Sequence, residues 1–280
     1  MAYVAEISRT NPTCLLFLID QSGSMADPVG GTGESQKKKA EAVADATNRL
    51  LQSIVLRCAK EEGIRDYFHV GVLGYGVQVA SAFGGALAGR DLVPISEIGN
   101  SPARLDERTR EREDGAGGIV KEKFRFPIWF EPVANGGTPM SQALSRAREI
   151  IDGWLRQHPE CYPPIVVNIT DGESTDGDAS GPARNLRQLK SSDGEVLLLN
   201  VHMSSTRATP IEYPDSDAAL PDQFAKLLYE MSSILTSGMR AAAQQEGINT
   251  SDATRGFVFN ADMVSMIKFL NIGTRPSNLR

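Results

Sequence analysis

Cysteine and histidine are scarce in this 280-residue chain, with three of each, and their placement excludes two kinds of protein. Cys14, Cys58 and Cys161 are odd in number, widely spaced and never in a CxxC pair, so neither a disulfide scaffold nor a cysteine-based zinc site is encoded. Each lies in or beside an apolar segment, which predicts the buried, reduced thiols of a cytosolic protein. His69, His158 and His202 are never four residues apart and never beside a cysteine, so zinc chemistry lacks its donors. His69 and His202 fall in strand patterns and are expected to be packed. Trp129 and Trp154, the two tryptophans, lie near apolar segments and read as packing rather than stacking platforms.

Long apolar runs are missing as well. "CLLFLI" and "VLLL" fall far short of the ~20 residues a membrane-spanning helix needs. The opening "MAYVAEISRTNPTC" has no basic start followed by an apolar stretch, so the expectation is a cytoplasmic protein without a membrane partner. Basic excess is absent: 29 Lys and Arg against 35 Asp and Glu leave a net charge of -6, which speaks against nucleic acid as a partner. There is no G-x-S-x-G nucleophile elbow. "GGTGESQKKK" fails the phosphate-loop spacing, because Gly33 is followed by Glu34, whose carboxylate would repel a phosphate.

What is present is ordinary globular composition, 41% hydrophobic and 23% charged, enough for a sizeable core. Strand-like segments alternate with helical periodicity, which predicts an α/β fold: a mostly parallel central sheet with helices on both faces, in one domain spanning 1-280. "CLLFLI" reads as a central strand. A long amphipathic helix follows it, with Val43, Ala46, Leu50, Leu51, Ile54, Val55 and Cys58 at spacings of three and four and Gly63 placed to stop it. "YFHVGVLGYG" and "VQVASAF" are too close together for a helical crossover and predict an antiparallel hairpin at the sheet edge. An insertion at about 84-126 carries the charge run "SPARLDERTREREDGAGG", which reads as a solvated helix or loop. Helix and strand then alternate again through "PPIVVNIT", "EVLLLNVHMSS" and "TRGFVFNA". "DMVSMIKFL" reads as the closing helix of a helical C-terminal extension, and "NIGTRPSNLR" as a frayed tail.

The end of the first strand carries the chemistry. In "DQSGSM", Asp20 closes an apolar run, and Ser22 and Ser24 stand either side of Gly23. Ligands of open parallel sheets bind at the carboxyl ends of strands, where the strand order reverses. One carboxylate and two hydroxyls form a hard oxygen set suited to Mg2+ or Mn2+ rather than zinc. Three oxygens do not complete an octahedron, and two further places fit: "NGGTPM" puts Thr138 after two glycines and before a helix, and "IVVNITDG" ends a second strand in Asp171.

Together "DQSGSM", "GGTPM" and "ITDGE" resemble the three-part metal-ion-dependent adhesion site of the von Willebrand factor A (vWA) domain family. The resemblance runs in the right order from about Leu15 to the last strand. It implies a Rossmann-like sheet with one antiparallel edge strand, hydroxyl ligands from Ser22, Ser24 and Thr138, and Asp20 and Asp171 acting directly or through water. It implies a Mg2+ or Mn2+ ion left electrophilic, with an open position that a Glu or Asp of a partner protein fills. The expected function is a non-catalytic adaptor. Intracellular bacterial members resembling this chain work beside AAA+ ATPases or with kinase and phosphatase pairs in stress and defence assemblies, and such partners are what the resemblance implies. The rival reading is a metal-dependent hydrolase, although a self-phosphorylating aspartate would want a second carboxylate where Ser22 stands. The loop "MADPVGGTGESQ" is longer than many family members use and would rim the site. Asp27, Glu34, Glu173 and Asp176 read as solvated loop charges or an acidic rim.

Overall fold

A strand that is apolar at every position must be covered on both faces, and β1 (Thr13–Asp20) is buried along all eight residues. The computed structural model describes residues 3–29, 37–113, 119–204 and 209–274, with the backbone alone at 110–113 and 119. Gly33, Glu34 and the tail from 275 onward lie outside the described residues.

From β1 the chain enters α1 (Lys39–Cys58) and returns as β2 (Phe68–Tyr75), parallel to β1, before β3 (Val79–Ser81) folds back antiparallel on β2. α2 (Ile95–Asn100) leads into a two-stranded ribbon, β4 (Arg104–Glu113) and β5 (Ile119–Ile128). Next come α3 (Met140–Leu155), β6 (Ile165–Thr170), α4 (Ser180–Arg187), β7 (Leu197–Met203) and β8 (Ile211–Glu212). The described chain finishes with α5 (Gln223–Met231), α6 (Ser237–Gln245), β9 (Phe257–Ala261) and α7 (Met263–Gly273). The main sheet runs β8-β9-β7-β6-β1-β2-β3, parallel from β9 to β2. The chain adds strands to one side of β1 and then to the other, so the order reverses between β1 and β6. Alternate residues of β1 serve two cores. Leu15, Phe17 and Ile19 pack with residues of α1, α2, α6 and α7. Leu16 and Leu18 pack with residues of α3, α4 and α5 on the opposite face.

Four expectations are corrected. One antiparallel edge strand was expected, but both edges carry one: β3 on β2, and β8 on β9. The segment Val93–Pro94 also pairs antiparallel with β2. β8 is two residues long inside a polar loop, too short to show a period of two. Gly63 does not stop α1, which ends at Cys58; with φ +115° it turns a small hairpin joining Ala59–Lys60 to Gly63–Ile64. α7 extends through Gly273 and so takes in the first residues expected to be tail.

The charged insertion is the largest correction, since its charge run is neither helix nor solvated loop but one strand of the β4–β5 ribbon. The partner strand holds the physical reason: Phe124, Phe126 and Ile128 alternate with Lys123, Arg125 and Pro127, so one face is apolar. Phe126 is buried, and the Arg108 guanidinium lies 3.6 Å above its ring centroid, with that of Arg49 at 5.4 Å. Both arginines bond Asp45 of α1, whose side chain is 8% exposed. Burial pushes the Asp45 carboxyl up, but the hydrogen bonds from Arg108 and Arg49 outweigh it and hold the group below its ordinary value. Cation–π contacts and ion pairs that share Asp45 thus dock the ribbon on α1.

The cysteines are free and buried as expected, and burial pushes the Cys58 and Cys161 thiols up to about 12. Trp129 and Trp154 are buried in packing. Among the described residues no helix is long and apolar enough to cross a membrane.

Candidate metal centre

β1 and β6 lie side by side at the reversal point, and their carboxyl ends bring distant residues together. Asp20 is fully buried at the end of β1. Its Oδ1 accepts the Ser22 backbone N–H at 2.8 Å, and its Oδ2 accepts the Thr170 hydroxyl at 2.8 Å. Burial pushes the Asp20 carboxyl up, opposed by hydrogen bonds from Ser22 and Thr170 and reinforced by the charge of Asp171. Ser22 precedes a single 3-10 turn, Gly23–Ala26, which carries Ser24 round beside it. The two hydroxyl oxygens lie 3.0 Å apart, and Ser24 Oγ donates to Asp171 Oδ1 at 2.8 Å across 147 residues of sequence.

Thr138 is buried on the loop before α3. Its backbone is clamped by Thr175: the Thr138 N–H donates to Thr175 Oγ1 at 2.9 Å, and its carbonyl accepts the Thr175 N–H at 2.9 Å. A Cβ placed on Gly172 would lie 3.9 Å from Thr138 Oγ1, so the hydroxyl stands beside the Asp171–Gly172 turn. The structure therefore brings Asp20, Ser22, Ser24, Thr138 and Asp171 to one place. Backbone bonds between the loops fix it: Gly23 N–H donates to the Gly136 carbonyl at 3.0 Å, and Asn135 N–H to that of Gln21 at 2.6 Å.

Three residues at the centre were not found from the sequence: Lys39, Thr170 and Thr175. Lys39 opens α1 with a side chain only 4% exposed, and its Nζ donates to Asp171 Oδ2 at 2.7 Å. The run "QKKK" at the start of the amphipathic helix does not by itself single out one lysine, but a signal was there. Lys39, Val43, Ala46 and Leu50 fall at spacings of four, three and four, which puts this lysine on the apolar stripe. Asp176 is exposed, as a solvated loop charge would be, and also caps a helix: its two carboxylate oxygens accept the Ser141 and Gln142 N–H groups at 3.0 and 2.8 Å, in the first turn of α3. Glu173 and Asp27 are exposed.

Beneath the site runs a buried polar chain across three strands. Tyr75 donates to Asn168 Oδ1 at 2.8 Å, Asn168 to Asn200 Oδ1 at 3.0 Å, and Asn200 to Ser232 Oγ at 2.9 Å. Its members satisfy one another's polar groups, so the sheet carries them without an orphan.

His202 is buried on β7, stacked on Phe259 at 4.5 Å, and its Nδ1 accepts the Asn260 N–H at 3.3 Å. Burial pushes its pKa down to about 4. The unfolded chain takes up a proton near 6.5 and the folded protein does not, so this residue costs no stability at pH 7 and lowers it progressively as pH falls from about 6.5 to about 4. His202→Gln, which keeps an acceptor but cannot become charged, is expected to flatten the fall of Tm between pH 7 and pH 4.5; identical pH profiles would refute this. His69, expected to be packed, is half-buried, its Nδ1 accepting the Trp154 indole N–H at 2.6 Å.

The donor set fits a hard divalent cation. Among the described residues no group of three or more His, Cys, Asp or Glu side chains is placed to hold a metal. An ion at this centre would therefore be bound through hydroxyls beside the two carboxylates, an all-oxygen environment of the kind Mg2+ and Mn2+ take. Ser22, Ser24 and Thr138 would supply the hydroxyls; Asp20 and Asp171 keep lone pairs beyond those already accepting hydrogen bonds.

An open, mostly parallel sheet with helices on both faces and three oxygen-bearing loops at its switch point defines a Rossmann-like α/β protein. This architecture agrees with the Rossmann-like sheet that the motifs imply. No protein-family model matches the chain, and no curated protein matches it. Similar solved structures include proximal thread matrix protein 1 from the mussel byssus, 15% identical over 82% of this chain and 42% of that one, with a TM-score of 0.44. Another is the ArnB paralog VWA2 from Sulfolobus acidocaldarius, 12% identical over 82% of this chain and 41% of that one, at a TM-score of 0.41. A third is a von Willebrand factor type A structure from Catenulispora acidiphila, 14% identical over 69% and 33%, at 0.38. The chain spans less than half the length of each of these three.

Proposed function

We propose that the protein is a non-catalytic binding module that captures an acidic side chain of a partner protein through a Mg2+ or Mn2+ ion held by Asp20, Ser22, Ser24, Thr138 and Asp171. The observation that carries this reading is the meeting of Ser22, Ser24 and Asp171 at hydrogen-bond distance on the open end of the sheet. Hydroxyls are neutral ligands, and both carboxylates are already engaged by neighbouring donors, an arrangement suited to contact through water. An ion so held keeps much of its positive field, and a Glu or Asp from a partner answers it.

Ser22→Ala/Ser24→Ala is expected to keep the circular dichroism spectrum of the wild type and to lose the heat of Mn2+ binding in titration calorimetry. In a pull-down from host lysate, a protein retained by wild type with Mg2+, and released by EDTA or by the double substitution, supports the reading. The same proteins retained under all conditions would overturn it.

A further inference from the structure

Lys39 is in an electrostatically awkward place. A cation in the first turn of a helix faces the positive end of the macrodipole, and an ammonium out of water needs a partner. Here its side chain is 4% exposed and the partner is Asp171, at 2.7 Å. Its other neighbours are the Ser24 carbonyl at 3.5 Å and the Asp27 carboxylate at 3.9 Å, the latter 58% exposed. The two oxygens of Asp171 are thus shared out, Oδ1 to the Ser24 hydroxyl and Oδ2 to the Lys39 ammonium. The hydroxyl proposed to bind the ion and a fixed positive charge thus donate to the two oxygens of one carboxylate.

We propose that Lys39 is a resident counter-cation that sets the affinity of this centre for divalent ions and makes ion capture depend on the partner. The inference rests on the metal-site reading above. Among the buried groups of the centre, Asp20 and Asp171 bring two formal negative charges and Lys39 one positive, a net of -1; Asp27, 58% exposed at 3.9 Å from the ammonium, is screened by water and contributes little. A divalent ion entering alone turns the site to +1, with the ammonium repelling it from one carboxylate away. A partner carboxylate returns the sum to zero. Ion and partner therefore each favour the other's binding, and the empty module holds its ion loosely. Without Lys39 the same residues would present -2 and would hold the ion whether or not a partner was there.

The test is Mn2+ titration calorimetry, without any partner, on wild type, Lys39→Met and Lys39→Gln. The glutamine variant keeps a donor for Asp171 and covers the case in which the methionine variant does not fold. Either variant is expected to bind Mn2+ at least tenfold more tightly than wild type, and its Tm is expected to rise more on adding Mn2+. Equal or weaker binding by a folded variant, with wild type still binding through Ser22 and Ser24, would overturn the role of Lys39 alone. Binding that Ser22→Ala/Ser24→Ala leaves unchanged, or no binding by any chain, would overturn the metal-site reading and this inference with it.

Discussion

Asp171→Ala is expected to lower the free energy of unfolding by about 3–5 kcal/mol, the usual cost of removing one member of a buried ion pair. The loss is larger than that of a hydrogen bond because of what remains. The Lys39 ammonium, 4% exposed, is left with the Ser24 carbonyl at 3.5 Å and a mostly solvated Asp27 at 3.9 Å. A surface pair would contribute at most about 1 kcal/mol. Lys39→Met/Asp171→Ala removes both charges and is expected to recover most of the loss, so a double-mutant cycle in urea should give a coupling well above the uncertainty of the method. Additive single-substitution losses would show that the pair is not buried in solution.

Gly136→Ala is expected to be the most damaging glycine substitution in the loops of the centre. Gly136 sits at φ +95°, and a Cβ there would lie 2.5 Å from the Val77 nitrogen and 2.7 Å from the Gly76 carbonyl carbon, both backbone atoms that cannot rotate away. Its carbonyl also accepts the Gly23 N–H, so moving it drags the serine turn. Left-handed strain costs about 1–3 kcal/mol by itself. Gly177 supplies the control, with φ +112° and nothing within 4 Å of its added Cβ. Gly177→Ala should show the strain alone in urea unfolding. Gly136→Ala should cost clearly more and weaken Mn2+ binding at least tenfold, because Thr138 and Ser24 are displaced together. Equal losses from the two glycines would refute the clash.

The sheet and the centre were legible in the sequence where local pattern and final position agree. "CLLFLI" is buried on both sides, as its unbroken apolar character requires, and Asp20, Ser22, Ser24, Thr138 and Asp171 all reach the reversal point. What escaped is long-range. The β4–β5 ribbon looked solvated because β4 is nearly all charge; its reason for folding is Phe126, which needs Asp45 and Arg49 of α1 to complete its surroundings. Lys39 escaped for the opposite reason. Three consecutive lysines suggest solvent, and only the pairing with a residue 132 positions away explains a buried one. Asp176 looked free because the α3 N–H groups it caps lie more than 30 residues before it.

The position of β1 between β2 and β6 also bears on how the chain comes to be made. Leu15 pairs with Val70 on one side and with Ile165 on the other. A chain growing from its N-terminus can form the first pairing early, while the other edge of its most apolar strand stays open until β6 has emerged. In that interval Asp20, Ser22 and Ser24 are already present, but Asp171 is not, so a half-made chain has the serine turn without the centre. The same interval leaves an unpaired apolar edge, the kind of surface that nucleates aggregation or recruits chaperones. Covering the open edge of β1 and bringing Asp171 to the serine turn are then one event in biosynthesis, and a pause in translation before β6 has emerged leaves both undone.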